Sequence, residues 1–318
     1  MKNQTETAIS VKNLTKYYKD LKAVDDLTLE IRKGEVFGFL GPNGAGKSTS
    51  INMICGLLKP TGGEVWMNGK KTAGEEGKKL RAKVGVCPQN IIIWPKLTCY
   101  EQLVFIARMY GVPSKLARNR ADELLEQLGL MEKRNKLAHT LSGGMKRRLN
   151  VMMALMHDPE IVIFDEPEAG LDPQSRILVR EFILETARDK TVIFTTHNMD
   201  EADRVSDRVA IIDRGKLLQL DTPFNLKKSI GEGDIMELNL TYEDEPSMNT
   251  ALEKLDKLDL KIIQSDGKLI LISRNMITKV YDIYRIFESV NIQITELKMR
   301  ENTLEDVFIH LTGRRLRQ

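Results

Sequence analysis

The sequence predicts an α/β chain: a parallel-sheet core in the first two thirds and a smaller α+β domain after it. Three observations carry this. Short, wholly apolar runs at 36–40, 161–164 and 191–194 have the look of strands buried on both faces, and long helical patterns separate them. The first run opens directly into a glycine-rich turn and a helix. Beyond about residue 229 the pattern changes to strand, helix, two strands, helix and strand, the βαββαβ order of a ferredoxin-like domain.

In chain order, residues 8–31 read as short alternating strands, with Ile9, Val11, Leu14, Leu27, Leu29 and Ile31 spaced by polar residues. Val36–Leu40 is the first buried strand. Residues 98–158 lack such runs and read as helical, with Leu103, Ile106, Ala107 and Tyr110 on one stripe and Leu124, Leu125 and Leu128 on another. Ile161–Phe164 and Thr191–Phe194 are the next buried strands, and Val209–Leu220 reads as a hairpin around Arg214-Gly215. Pro223, Lys227, Lys228, Gly231 and Gly233 break the periodicity, which sets the expected boundary: 1–228 and 229–318. In the second domain the expected elements are strand 235–242, helix 247–257, strand 259–264, a turn at Asp266-Gly267, strand 268–273, helix 276–289, strand 292–299 and a last helix near 303–312 before the tail Arg314–Arg317.

Composition narrows the class. The 318 residues are 42% hydrophobic and 29% charged, a folded rather than a disordered balance. No apolar run approaches the roughly 18–20 residues that span a bilayer, and the first residues do not read as a signal peptide. Cys55, Cys87 and Cys99 are odd in number and unpaired in spacing, which argues for a reducing compartment and against a disulfide scaffold or zinc site. The net charge of +3 is uneven. Residues 1–230 hold 36 Lys and Arg against 29 Asp and Glu, and 231–318 hold 12 against 16. A basic excess suits a polyanionic ligand, although most such charge coats a solvated face.

Gly41-Pro42-Asn43-Gly44-Ala45-Gly46-Lys47-Ser48, followed by Thr49, satisfies the phosphate-loop pattern in the required strand–loop–helix context. Glycines let backbone N–H groups converge on phosphate oxygens, and the helix N-terminus adds partial positive charge. Lys47 is then the residue for the β- and γ-phosphates and Ser48 a ligand for Mg²⁺. Asp165, at the end of the strand 160–164, is the second expected Mg²⁺ ligand. Glu166 beside it is placed to polarise water.

The stretch Leu141-Ser142-Gly143-Gly144-Met145-Lys146-Arg147-Arg148-Leu149 pairs an N-capping serine with exposed glycine amides at the start of a helix expected over 145–157, a second phosphate-type site. With this run the chain resembles the ATPase subunits of ABC transporters, whose LSGGQ signature it nearly matches, over about residues 8–228. The resemblance implies a P-loop NTPase cassette with a parallel-sheet core, an antiparallel β subdomain and a helical signature subdomain at about 98–158. It implies ATP and Mg²⁺ as cofactors and two subunits sandwiching two nucleotides. It also implies Tyr18 as the aromatic stacked on adenine, with Tyr17 the alternative and a plain strand aromatic the other reading. Gln89 resembles the glutamine that contacts Mg²⁺ and water, Asp172 in Gly170-Leu171-Asp172 the D-loop, and His197 the switch histidine on the γ-phosphate. By the same resemblance Lys47, Glu166 and His197 are the catalytic set, and Leu141 to Met145 contact the partner subunit's nucleotide. Met145 stands in place of the usual glutamine. Glu168 stands where Thr or Ser is common and is expected to point to solvent.

The ending Thr303-Leu304-Glu305-Asp306-Val307-Phe308 is similar to the drug-, antibiotic- and sodium-extruding branch, daunorubicin resistance being its type. That similarity implies an exporter subunit at the cytoplasmic face of the membrane. Its partners would be a second copy or a related ATPase subunit, and a separately encoded membrane permease. The C-terminal domain would stabilise or regulate the dimer, or sense a ligand. A soluble ATPase of the same family acting on ribosomes or nucleic acid is the alternative. The 95-residue interval from Lys47 to Ser142, without a heptad run or a second phosphate loop, weighs against it, and no nucleic-acid partner is expected. Asn135-Lys136-Leu137-Ala138 lacks the Asp that reads guanine, so ATP rather than GTP is the expected nucleotide.

Overall fold

The computed structural model describes residues 6–230, 234–242, 245–265, 268–273 and 276–313. The expected turn at Asp266-Gly267, the glycines 231 and 233 and the arginine tail lie outside the described residues.

The chain opens with β1 (Thr7–Tyr18) and β2 (Leu21–Arg32), then β3 (Val36–Leu40), α1 (Lys47–Ile54), β4 (Gly62–Met67) and β5 (Lys70–Lys71). Strands β2-β1-β4-β5 form an antiparallel sheet. The segment 8–31 is thus two long strands rather than several short ones. Asn13 and Asp26, both at positive φ, sit where the pairing register shifts, so the long ribbon bends without ending.

Next come α2 (Gly74–Arg81), β6 (Val84–Cys87), α3 (Cys99–Met109), α4 (Ser114–Gln127), α5 (Gly143–Met153), β7 (Ile161–Asp165), α6 (Pro173–Thr186), β8 (Thr191–Thr196), α7 (Met199–Val205), β9 (Arg208–Asp213) and β10 (Lys216–Asp221). Strands β10-β9-β3-β8-β7-β6 make the central sheet, parallel except for the β9–β10 hairpin. Every residue of β3, β7 and β8 is buried, as their unbroken apolar runs require.

One core cluster fills the space among α3–α6 and the central sheet, with Leu103, Leu125, Leu149 and Met152 fully buried. A second lies between the antiparallel sheet, α1 and the central sheet, around Ile9, Leu27, Phe39 and Ile51. Helix α5 begins two residues earlier than expected because Ser142 caps it, its Oγ accepting from the Met145 amide at 3.3 Å. It ends at Met153, short of the expected 157.

The compact units divide between Pro223 and Phe224. The expected boundary at 228/229 falls at the end of α8 (Pro223–Ser229), so that helix travels with the second unit. The second unit holds β11 (Asp234–Thr241), α9 (Glu245–Leu255), β12 (Lys261–Ser265), β13 (Lys268–Ser273), α10 (Met276–Glu288), β14 (Gln293–Arg300) and α11 (Leu304–Thr312). Its sheet is antiparallel in the order β12-β13-β11-β14. Met236, Leu238, Leu271, Ile283 and Phe287 are buried in its own core.

Candidate functional site

Strand order places the motifs side by side. In the central sheet β3, β8, β7 and β6 are consecutive neighbours, all parallel, and register pairs Leu40 with Thr196, Asp165 with Thr195, and Cys87 with Phe164. The phosphate loop after Leu40, the Asp165-Glu166 pair, His197 and Gln89 therefore all emerge at the carboxyl edge of one sheet. That edge is the usual binding side of a parallel fold.

The phosphate loop needs its glycines here. Gly46 has φ +100, and a Cβ on it would lie 2.5 Å from the Ala23 carbonyl oxygen. A Cβ on Gly41 would lie 2.2 Å from that of Ile212. Gly44 also takes a positive φ but has open space around it. Pro42 accepts from the Ala45 amide at 3.1 Å, Ala45 is buried, and Asn43 is exposed. Lys47, 5% exposed, donates to the carbonyls of Gly41 (2.7 Å) and Pro42 (3.2 Å). Burial holds its ammonium below the usual lysine range, and Glu166 and Asp165 oppose that shift. Thr49 is half-buried in the first turn of α1.

Glu166 is the hub. Its Oε1 lies 3.6 Å from Lys47 Nζ and 3.4 Å from His197 Nδ1, and its Oε2 accepts from Gln89 Nε2 at 3.2 Å. Asp165 Oδ1 accepts from Ser48 Oγ at 3.2 Å and from the Thr195 hydroxyl. Thr195 Oγ1 in turn accepts from the Glu166 amide at 2.9 Å. Glu166 has φ +47, a left-handed conformation that costs a non-glycine residue on the order of 1–3 kcal/mol.

The structure thus brings together Lys47, Ser48, Gln89, Asp165, Glu166 and His197. Among the described residues no hydrogen bond ties Tyr18, Asp172 or Leu141–Met145 to this cluster. Tyr18 ends β1 and is 47% exposed, with Lys16 Nζ 5.4 Å from its ring centroid, and Tyr17 beside it is exposed as well. Asp172 caps α6 by accepting from the Ser175 amide at 2.9 Å, and the Ser175 hydroxyl, then that amide, hold its carboxyl below the usual range. Ser142 and Gly143 are exposed at the start of α5, Leu141 is buried, and Met145 is half-buried against the core. The Met145 amide is taken by the serine cap, so the donors left at this helix start are those of Gly143 and Gly144.

Glu168 does not point freely to solvent as expected. It is half-buried against Glu201, which is itself buried and held by Arg180 through Nε–Oε2 at 2.7 Å and a second, Nη2–Oε1 bond. Burial, and then the neighbouring Glu201 carboxylate, push the Glu168 carboxyl up to about 8. The physical reason is that α7 places Glu201 against the loop after β7.

For a divalent cation the fitting groups are the Ser48 hydroxyl and the Asp165 carboxylate, hard oxygens already in contact, a donor set that suits Mg²⁺. Gln89 could ligate only through its amide oxygen, because its nitrogen faces Glu166. Among the described residues there is no cluster of three or more His, Cys, Asp and Glu that could hold a metal alone.

Three supporting residues had no role assigned from sequence: Thr195, Asn150 and Arg147. Asn150 accepts from the Ile92 amide at 3.2 Å and faces Cys87 Sγ at 3.3 Å, fastening the loop that carries Gln89. Arg147 is 1% exposed, and among the described residues its guanidinium donates only to backbone carbonyls. The available signal was positional. Arg147 precedes the buried Asn150 and Val151 by three and four residues, so it shares the inward face of α5.

A phosphate loop at the carboxyl edge of a parallel sheet, with an Asp-Glu pair at the end of β7, one strand removed from β3, defines a P-loop nucleoside triphosphatase. The ABC transporter family profile matches residues 24–169. The linearmycin resistance ATP-binding protein LnrL of Bacillus subtilis is 37% identical over 97% of this chain and 99% of its own length. The daunorubicin/doxorubicin resistance ATP-binding protein DrrA of Streptomyces peucetius is 35% identical over 98% and 94%. A solved dimeric ATP-binding cassette in a post-hydrolysis state, bound to ADP and phosphate, superposes with a TM-score of 0.63. It is 29% identical and covers 67% of this chain and 98% of that one. The chain belongs to the ABC transporter family as an ATP-binding subunit, an ATPase whose hydrolysis is coupled to transport.

Proposed function

We propose that the chain is the motor subunit of an exporter, closing as a dimer on two Mg·ATP while docked on a separately encoded membrane protein. The observation that carries this is the convergence of Lys47, Gln89 and His197 on one carboxylate, Glu166. The relatives named for linearmycin and daunorubicin resistance support the exporter reading.

A triphosphate offers Lys47 charged acceptors stronger than the two carbonyls it now meets. Amides of the phosphate loop and the start of α1 cradle the β- and γ-phosphates. Ser48 and Asp165 hold Mg²⁺, which neutralises phosphate charge when bound. Glu166 accepts a hydrogen bond from the attacking water and aims its oxygen at the γ-phosphorus. The bond to the ADP oxygen breaks as the new one forms. His197, half-exposed at the mouth of the site, and Gln89 hold the γ-phosphate and the water. The Ser142–Gly144 helix start of a second copy closes the site from the other side, and Tyr18 stacks on adenine.

Ile92, Trp94 and Phe105 form an exposed apolar surface beside the Gln89 loop, with the Trp94 and Phe105 rings edge-to-face at 5.3 Å. Such a patch fits a short helix of the membrane protein. The experiment is transport-coupled ATPase of the reconstituted complex. Trp94→Ala with Phe105→Ala should lower it about tenfold or more while basal hydrolysis by the free subunit stays within about twofold. Unchanged coupling would remove this docking face.

The second unit reads as a ferredoxin-like domain, supported by its βαββαβ order and by the strand order in which the first strand lies between the third and the fourth. It carries no catalytic constellation in the sequence, and a role in stabilising or regulating the dimer suits its two edge strands, β12 and β14.

A further inference from the structure

We infer that Arg147 is a positioning residue that locks the loop of Gln89 to the loop of Glu166 through the signature helix. The inference rests on the proposed role of Glu166 and deepens it. A guanidinium has five N–H donors, and each finds a backbone carbonyl. Nη1 donates to Pro88 (2.9 Å) and Gln89 (2.7 Å). Nη2 donates to Asp165 (2.9 Å) and to Glu166, and Nε to Pro167 (3.0 Å). Among the described residues none of its partners is a carboxylate. A buried cation without a counter-ion is tolerated only when every donor is satisfied, so its position is dictated by the two loops it bridges.

The consequences fall on the site. Glu166 keeps a left-handed backbone because its carbonyl is held by Arg147 and its amide by Thr195 Oγ1. The Gln89 carbonyl is held by the same side chain whose other nitrogens hold Glu166, and the two side chains meet at 3.2 Å. Because Arg147 lies on α5, one turn after the Ser142–Gly144 start, a shift of that helix moves both loops together. Lysine cannot replace it, since a single ammonium with three donors cannot span both sets of carbonyls.

Steady-state hydrolysis of Mg·ATP and equilibrium Mg·ATP binding on the full chain test this with Arg147→Lys and Arg147→Met. The expected result is a fall in kcat of at least about tenfold in both, with Kd and KM for ATP within about threefold of the parent. In a Gln89→Ala background the Arg147→Lys loss should shrink by about half or more on a logarithmic scale, because one of the two positioned groups is already gone. A kcat within about twofold of the parent overturns the proposal, as does strict additivity with Gln89→Ala. An equal collapse of affinity and turnover also overturns it, because that marks plain loss of structure. If Arg147→Met does not fold, Arg147→Lys, which keeps the charge and most of the volume, decides. Parent-rate hydrolysis by Glu166→Gln would instead defeat the reading of Glu166, and the two failures are distinct.

Discussion

Glu166 shows how much a single side chain can organise: one carboxylate faces a lysine, a glutamine amide and a histidine. Glu168, two residues on, meets the opposite environment. Its carboxyl is raised from 4.5 to about 8, so the folded state holds a proton that the unfolded chain releases near 4.5. Its contribution to stability is full below the unfolded value and is lost as pH rises through about 8. Thermal melts should show the parent losing Tm between pH 6 and pH 9 relative to Glu168→Gln, which carries a neutral amide throughout. Parallel curves would contradict the buried-pair reading. The phosphate loop is equally demanding. Gly46→Ala places a Cβ against the Ala23 carbonyl at positive φ, and should lower Tm by several degrees for a cost of about 1–3 kcal/mol and weaken ATP binding. The phosphate-loop glycines, Lys47 and the Asp165-Glu166 pair could be read from sequence because their spacing is local. The Glu168–Glu201 contact could not, since it joins residues 33 positions apart through a helix whose docking angle no pattern encodes. Arg147 was hidden for a related reason: a basic residue in a polar-looking run reads as solvated until the carbonyls around it are placed.

Among the elements, α5 and α11 show why capping residues matter. Ser142→Ala removes the hydrogen bond to the Met145 amide and should cost about 1 kcal/mol of stability. Nucleotide-driven dimerisation should fall further than stability does, since the same helix start is proposed to meet the partner subunit's nucleotide. Equal, small effects on both would assign Ser142 to capping alone. In α11 the Thr303–Asp306 stretch, read from sequence as a family resemblance, has a structural basis. Thr303 and Asp306 form a reciprocal capping box, and Arg300 bridges Asp306 and Glu237. Burial alone would raise the Asp306 carboxyl, but Arg300 and Thr303 outweigh it and hold the group below its usual range. Its stabilising share is therefore present above the ordinary aspartate value and is lost on acidification through the lowered one. Asp306→Asn should lower the melting temperature of the second unit at pH 7 and leave less difference from the parent as the pH falls toward 3. Helix ends shifted by a few residues from expectation because caps such as Ser142 and Thr303, rather than apolar periodicity, decide where an element starts.

For the whole molecule, the apolar runs were enough to anticipate a parallel sheet, but not its order. That β3 lies between β8 and β9 follows from long-range pairing, and this order is what assembles four separate motifs at one edge. Among the described residues no helix is long and apolar enough to cross a membrane. The proposed machine pairs a second copy of this chain with a membrane protein. Its central claim is that Glu166 governs hydrolysis in a closed dimer. Light scattering of the full-length Glu166→Gln protein with Mg·ATP, alongside its hydrolysis rate, tests that claim most directly. Twice the mass of one chain is expected with ATP but not with ADP, with hydrolysis slowed by about a hundredfold or more. A monomer in ATP that hydrolyses at the parent rate would contradict it.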